Sequence, residues 1–289
     1  MIVSSWKDAK FGTLANGLLL LGVIYSFFSQ GPTSFQSEFE TARAAALGPM
    51  ASPRVVTEHD LAPLPPAVQK YLRSTGAVGQ PRAQNFQARF HGAIRSAPSS
   101  PWMPFTAEQW SAIDPPVRLF WMKATRRGIP LEAFHRFVGP HATMRVRLVS
   151  LVPIVDARGP EMDTAETVTL LNDFCFFAPD ALLNPKIRWQ EIDARTVRAT
   201  WNHLGRTVHA DLSFAESGEL VDFRSDDRSQ SSSDGQSFEP KRWSTPVTRY
   251  QTFGARRLFA EGDALWHPKS GPFSYIHFVV DEIEFNGQP

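Results

Sequence analysis

Residues 11–28, FGTLANGLLLLGVIYSFF, carry no charge, and this run constrains the chain more than any other feature. As a helix, these eighteen residues span about 27 Å at 1.5 Å per residue, close to the roughly 30 Å hydrocarbon core of a bilayer. Lys7 and Lys10 precede the run, and no further Lys or Arg appears until Arg43, after Glu38 and Glu40. The positive-inside bias therefore predicts a cytoplasmic N-terminus and a main domain on the periplasmic side of a bacterial inner membrane. A cleaved signal peptide needs small residues in an A-x-A-like arrangement just after the apolar core. Ser26 with Phe28 and Phe27 with Ser29 do not supply them, so the helix is read as a retained single-pass anchor. Gly12, Ala15, Gly17 and Gly22 give it small surfaces for close helix approach. Trp6, Leu18, Leu21, Tyr25 and Phe28 complete its expected membrane and packing contacts.

The rest of the chain divides by character. Residues 1–30 form a cytoplasmic tip and anchor, 31–63 a tether with a short helix near residues 37–47, and 64–289 a globular domain. Gly48, Pro49 and Pro53 are expected to end the tether helix. LPPAVQKYLR at 64–73 predicts a short helix with Val68, Tyr71 and Leu72 on one face. After Gly79 the period becomes two: Ala88 and Phe90 alternate with Arg89 and His91, and Val146 and Leu148 with Arg145 and Arg147. Val208, Ala210, Leu212 and Phe214 share one strand face, and Thr207, His209, Asp211 and Ser213 the other. A turn at 215–218 makes this strand half of a hairpin, Val197, Ala199 and Trp201 extend the series upstream, and 275–285 forms a long last strand. One segment differs: Met162, Ala165, Val168, Leu171 and Cys175 recur at helical spacing, which predicts an amphipathic helix over 161–177. SQSSSDGQS at 229–237 reads as a flexible polar loop. The class these patterns predict is α+β, a large curved antiparallel sheet, half-barrel-like, with one or two packed helices.

Several stretches resemble an uncharacterised bacterial family, the domain of unknown function 6544. They are PAVQKYL at 66–72, WMPFTAEQW at 102–110, FWMKA at 120–124, PIVDARGPEMDTAE at 153–166, LLNDFCFFAPDALL at 170–183 and WQEIDARTVRAT at 189–200, followed by Tyr250 and Gly254. The resemblance spans about residues 64–286 and implies no activity. The chain departs from the family pattern at 169–173, where Thr-Leu-Leu-Asn-Asp stands in place of an expected Arg-Tyr-Leu-Ala-Glu-type run. In layout, the expected fold is similar to the lipoprotein-carrier half-barrels of the bacterial periplasm.

The chemistry is sparse. Thirty Lys and Arg against 29 Asp and Glu point to no nucleic-acid partner. A single cysteine, Cys175, excludes an intrachain disulfide and a CxxC zinc site. Eight histidines include no HExxH or other close ligand pair; His209 beside Asp211 reads as a satisfied or solvated pair, and Asp226-Asp227-Arg228 as a solvated turn. No G-x-S-x-G elbow and no phosphate-binding glycine loop are present. The chain is accordingly read as non-enzymatic, with no cofactor, no metal and no catalytic residue. The aromatic residues Trp102, Phe105, Trp110, Trp121, Phe174, Phe176 and Phe177 are candidate ligand or partner contacts set against ordinary core packing.

Two functions follow. In the first, the chain is an accessory structural subunit of a larger membrane complex, with an energy-transducing, for example photosynthetic, assembly as the guess. In the second, it is a membrane-tethered periplasmic carrier or sensor of a lipid-like ligand. A tightly filled core favours the subunit, and an open apolar groove of a few hundred Å³ favours the carrier.

Overall fold

The computed structural model describes residues 2–48 and 52–287. Helix α1 (Ile2–Gln30) contains the apolar run and is long and apolar enough to cross a membrane. Its side chains from Gly12 to Phe27 are exposed, Leu18 and Leu19 keeping 62% and 68% of their surface, so nothing in the domain covers them. Gly17 and Gly22 have open space where a Cβ would stand. Tyr25 is exposed, and Phe28 is half-buried with its ring edge-on to Phe27. Pro49 and the side chain of Trp6 lie outside the described residues.

Ser34 caps α2 (Phe35–Ala46) by accepting from the Ser37 amide at 3.1 Å. The tether helix is not loose. Phe35 and Phe39 are fully buried among Trp110, Val117, Leu119, Trp121 and Phe134, on the outer face of the sheet. Arg145 donates to Glu38 at 2.5 Å and Arg147 to the Thr33 carbonyl at 2.9 Å, so the arginines that alternate with Val146 and Leu148 hold this helix down. The short α3 (Glu58–Leu61) and the Pro-initiated α4 (Pro66–Ser74) follow, the latter burying Val68, Tyr71 and Leu72 as its spacing predicts.

Six strands then run in succession: β1 (Asn85–Ile94), β2 (Met103–Ile113), β3 (Pro116–Arg126), β4 (Ile129–Val138), β5 (His141–Leu148) and β6 (Val152–Arg158). Helix α5 (Pro160–Phe177) and a 3₁₀ turn (Pro179–Leu183) interrupt them. After these come β7 (Ile187–Asp193), β8 (Thr196–His203), β9 (Arg206–Phe214) and β10 (Leu220–Ser225), then β11 (Ser229–Ser231) and β12 (Phe238–Pro240). The chain finishes with β13 (Trp243–Ser244), β14 (Val247–Phe253), β15 (Arg256–Trp266) and β16 (Phe273–Phe285). Fourteen of these form one sheet in the order β6-β5-β4-β3-β2-β1-β16-β15-β13-β10-β9-β8-β7, with β14 on β15. Its strands pair antiparallel, as in β1 with β16 and β8 with β9. The protein is therefore α+β, a large curved antiparallel half-barrel with few helices. Strand β16 closes the two halves of the order, pairing the end of the chain with β1.

The curve of the sheet wraps α5. Gly159, at φ +109°, allows the sharp passage from β6 into the helix, and Pro160 occupies the tolerated first turn. Asp163 pins the start: it accepts from the Ala142 amide at 2.6 Å and from Arg206 at 2.5 Å, bridging β5 and β9. The Tyr71 hydroxyl donates to the Cys175 carbonyl at 2.6 Å near the other end. Beyond it, Asp180 accepts from the Ala83 amide (2.6 Å) and Arg256 (2.7 Å), a buried latch between the 3₁₀ turn and the sheet. The helical spacing over 161–177 is present, but α5 is not a surface amphipathic helix. Its polar residues Asp163, Glu166, Thr167, Thr169, Asn172 and Asp173 are buried along with its apolar ones. They are tolerated because they meet partners inside the protein.

The Ser-rich segment 229–237 also departs from expectation. Rather than a free loop, it is a two-stranded ribbon with its neighbours, β11 pairing β12. Its tip is held against β6: Gly235, at φ +78°, sits where an added Cβ would lie 2.9 Å from Ala157 and Val155, and the Asp156 amide donates to the Asp234 carbonyl.

Candidate functional site: an apolar cavity with a charged floor

Between the inner face of the sheet and one face of α5 lies a cavity of about 1050 Å³. The period of α5 determines which side chains it presents: Met162, Glu166, Thr169, Asp173 and Phe177 follow one another at three- and four-residue steps and all line the space, with Ala165 beside them. Opposite them, alternation on the strands supplies Phe120, Met122 and Ala124 from β3, Leu131 and Ala133 from β4, and Met144, Val146 and Leu148 from β5. Ala264 and Trp266 of β15 and Tyr275, Ile276 and Phe278 of β16 complete much of the far wall. The ribbon β11–β12 contributes Ser229, Gln230, Ser231 and Phe238, so the segment read as a loop forms part of the enclosure.

The walls are mostly apolar, and the floor is not. Arg118, on β3, is buried and donates to Asp173 at 2.6 Å through Nε and to Glu166 at 3.0 Å through Nη1. Gln109 of β2 donates to the same Asp173 oxygen at 2.8 Å and accepts from Arg118 at 3.3 Å. Asn172 donates to the Thr245 hydroxyl at 2.7 Å. Arg228 lies with its guanidinium 4.2 Å over the Trp243 ring.

One oxygen of this floor stands apart. Glu166 Oε1 has no hydrogen-bond partner, with His135 Nδ1 at 3.5 Å and Arg228 Nη2 at 3.7 Å. His135 Nδ1 and Arg228 Nε are likewise buried and unpartnered. These spacings are longer than a good direct bond and leave all three side chains able to share one polar group seated to their cavity side. Buried polar atoms that converge on an apolar cavity are the usual mark of a binding site that orients its ligand.

Burial pushes the Glu166 carboxyl up, but the Arg118 guanidinium, helped by His135 and Arg228, more than reverses this and holds it at about 2. Burial pushes Asp173 up, and Arg118 and Gln109 only partly offset it. A carboxyl held below its unfolded value stabilises the fold above the ordinary glutamate range and loses that contribution as pH falls toward 2. Over this window the Glu166 contribution is on the order of 3 kcal/mol. Acid unfolding of the protein is therefore expected to steepen between about pH 4.5 and 2. Denaturant midpoints measured across that range check it: a Glu166→Gln variant should lose the steep portion, and an unchanged profile would contradict the assignment.

A family model described as "Family of unknown function (DUF6544)" matches residues 54–278. The chain belongs to that family. No curated protein is similar to this DUF6544 member. Among solved structures it is similar to a domain from Vibrio parahaemolyticus described as a candidate outer membrane lipoprotein-sorting protein. The TM-score is 0.38 at 10% identity, over 70% of this chain and 85% of that one. It is also similar to a DUF1329 family protein from Desulfovibrio piger, with TM-score 0.38 at 10% identity, over 71% of this chain and 86% of that one.

The aromatic candidates separate in this DUF6544 member. Phe176 and Phe177 line the cavity, their ring centroids 5.1 and 5.8 Å from that of Phe259. Phe174 packs against Trp201 at 5.7 Å, and Phe105 is buried against Phe278 at 5.4 Å. Trp110 and Trp121 lie on the opposite sheet face, under α2. Trp102 is exposed beside the cavity's end of the sheet, with the Arg95 guanidinium 4.4 Å above its ring. His209 and Asp211 are not bonded to each other: His209 meets Asp227 at 2.8 Å and Asp211 takes Arg198 at 2.7 Å. In the Asp226-Asp227-Arg228 turn, the carboxylates are used up on Arg242 and His209, while Arg228 points into the cavity. Cys175 is buried, and burial pushes its thiol far above the ordinary range, so it is protonated and unreactive at neutral pH.

The residues that sequence reasoning missed are Gln109, Arg118, His135, Glu166 and Arg228. One signal pointed toward them. A helix as apolar as α5 carries Glu166, Thr169, Asn172 and Asp173 at helical spacing, and such a polar row in a core helix requires partners from elsewhere.

Proposed function

We propose that this protein is a non-catalytic, membrane-tethered binder of a lipid-like amphiphile, a carrier or sensor, held at the bacterial inner membrane by α1 with the half-barrel on the periplasmic side. The observation that carries this reading is the apolar cavity of about 1050 Å³ ending on a charged floor. It is slightly above the roughly 300–1,000 Å³ typical of small-molecule sites. The acyl part of the ligand lies against Met122, Met144, Val146, Ile276 and Phe278, and its polar head meets Arg228, His135 and Glu166. Burying about ten methylenes contributes roughly 8 kcal/mol before the costs of association are subtracted. His135 and Glu166 lie beside one another, 3.5 Å apart, but the Thr169 hydroxyl on the same face of α5 is engaged, donating to the Ala165 carbonyl. That arrangement favours recognition over nucleophilic chemistry.

The accessory-subunit reading rests on the uncovered surface of α1, which lipid covers as well as a partner helix does. A photosynthetic assembly has no support among these observations. The test is titration of the detergent-solubilised full chain with a fluorescent long-chain fatty acid. Saturable one-to-one binding is expected, and Ala264→Trp, which places an indole in the cavity, should weaken it at least tenfold while leaving Tm within a few degrees. Binding that is absent, or that is indifferent to Ala264→Trp, removes the carrier reading.

A further inference from the structure

Strand register places four turns at one end of the sheet. Ile94 pairs with both Met103 and Ile276, Arg126 with Ile129, and Leu148 with both Leu131 and Val152. The turns at 95–102, 127–128, 149–151 and 267–272 therefore lie side by side, and residues from the first two border the cavity.

Three features coincide at this end. The first is apolar exposure: of the nine exposed large hydrophobic residues outside α1 among the described residues, five are here, namely Trp102, Ile129, Leu151, Val152 and Ile154, each 41–48% exposed. The second is charge. The four turns and their flanks carry Arg95, Arg126, Arg127 and Lys269 and contain no Asp or Glu. Arg126 and Arg127 are exposed at the cavity's edge. The third is the position of the anchor. Arg147, four residues before Leu151, donates to the carbonyl of Thr33, and Thr33 is three residues past the last residue of α1. Three residues of chain reach at most about 10 Å, so the apolar helix ends beside this rim.

We propose that this rim docks on an anionic phospholipid leaflet, the apolar tips at Ile129 and Leu151–Ile154 entering among the headgroups while Arg126 and Arg127 meet lipid phosphates. The proposal deepens the carrier reading by naming what the cavity opens onto: a bilayer surface, from which an amphiphile passes into the protein without crossing water. Isolated exposed hydrophobics need no explanation, but five at one cavity end, with unbalanced cations and a membrane-type helix base alongside, match an interfacial surface. Each arginine near an anionic leaflet raises the docked population about fivefold.

Fluorescence quenching in proteoliposomes tests it with the full chain. Because the thiol of Cys175 is buried, an environment-sensitive dye can be attached selectively to Leu151→Cys at the rim or to Asp114→Cys in the turn at the opposite end. In vesicles of phosphatidylcholine and phosphatidylglycerol at seven to three, brominated lipid is expected to quench the rim dye at least threefold more than the dye at 114. Arg126→Gln with Arg127→Gln should bring the rim signal down toward that of position 114, as should pure phosphatidylcholine. Equal quenching at the two positions overturns the proposal, and so does a chain that fails to incorporate into vesicles. Fatty-acid binding in detergent separates the two readings. Binding without rim quenching removes the docking alone, whereas rim quenching without binding removes the carrier and leaves the docking.

Discussion

Replacing Arg118 by methionine is expected to remove about 3–5 kcal/mol of stability at neutral pH, the usual result of deleting one member of a buried charge cluster. The guanidinium is 7% exposed and is shared by Asp173 at 2.6 Å and Glu166 at 3.0 Å, both themselves buried. Methionine keeps much of the volume but leaves two carboxylates facing one another across an apolar space. The Glu166 pKa then rises above its unfolded value, and that of Asp173, already raised by burial, rises further. Stability gained from such groups is present at low pH and lost as pH rises through the folded pKa. The variant should therefore become more stable on acidification from pH 7 to 5, a slope opposite to the Glu166 contribution in the natural protein. Denaturant unfolding at the two pH values reads both predictions. A loss below about 1 kcal/mol with no change in slope would mean that water, not Arg118, balances these carboxylates. Adding Glu166→Gln and Asp173→Asn to the variant should recover part of the loss, because it removes the charges that Arg118 had balanced.

The second large effect is expected at Phe39→Ala, which should cost about 3–5 kcal/mol in the docking of α2. Phe39 is fully buried, its ring 6.4 Å from both Trp121 and Phe134. The rest of α2 is held by Phe35, the Arg145–Glu38 bridge and the Arg147 bond to Thr33, so Phe39 supplies much of the apolar contact. The expected outcome is local opening: amide exchange accelerates over residues 35–46 while α5 and β8–β9 stay protected. The link between α1 and the sheet then becomes an extended tether, and the rim is no longer held near the base of α1. Undiminished protection over α2 would show that the polar contacts suffice without the ring.

Most of the half-barrel was legible because its signals are local. Val208, Ala210, Leu212 and Phe214 alternate with polar neighbours, and β9 places all four in the core. Val197, Ala199 and Trp201 do the same for β8. The short helix at 66–74 followed from two prolines and one apolar face. The ribbon at 229–240 was not legible: serine-rich composition describes a loop equally well, and only contact of its tip with Ala157 and Asp156 orders it. The same applies to the tether helix, whose docking depends on Trp110, Trp121 and Phe134, all far along the chain from Phe35.

The candidate site was less legible than the fold. Of the aromatic residues singled out, Phe176 and Phe177 reach the cavity, and the charged floor was not among the candidates. Arg118 sits in a strand of otherwise apolar inward residues, Phe120, Met122 and Ala124, and nothing local distinguishes an inward arginine from an outward one.

By itself the sequence determined the uncharged run near its start, the antiparallel strands and the presence of one helix among them. Each of these depends on the spacing of neighbouring residues, at 3.6 or at 2. The tertiary structure alone decided that a polar row on α5 faces a mostly apolar cavity. It also decided that Arg118, Glu166 and Arg228 meet there, and that Arg147 holds the Thr33 carbonyl just past α1. These depend on how far apart the sheet's curvature holds side chains that lie from about fifty to more than a hundred residues distant in sequence, a distance that no local period records.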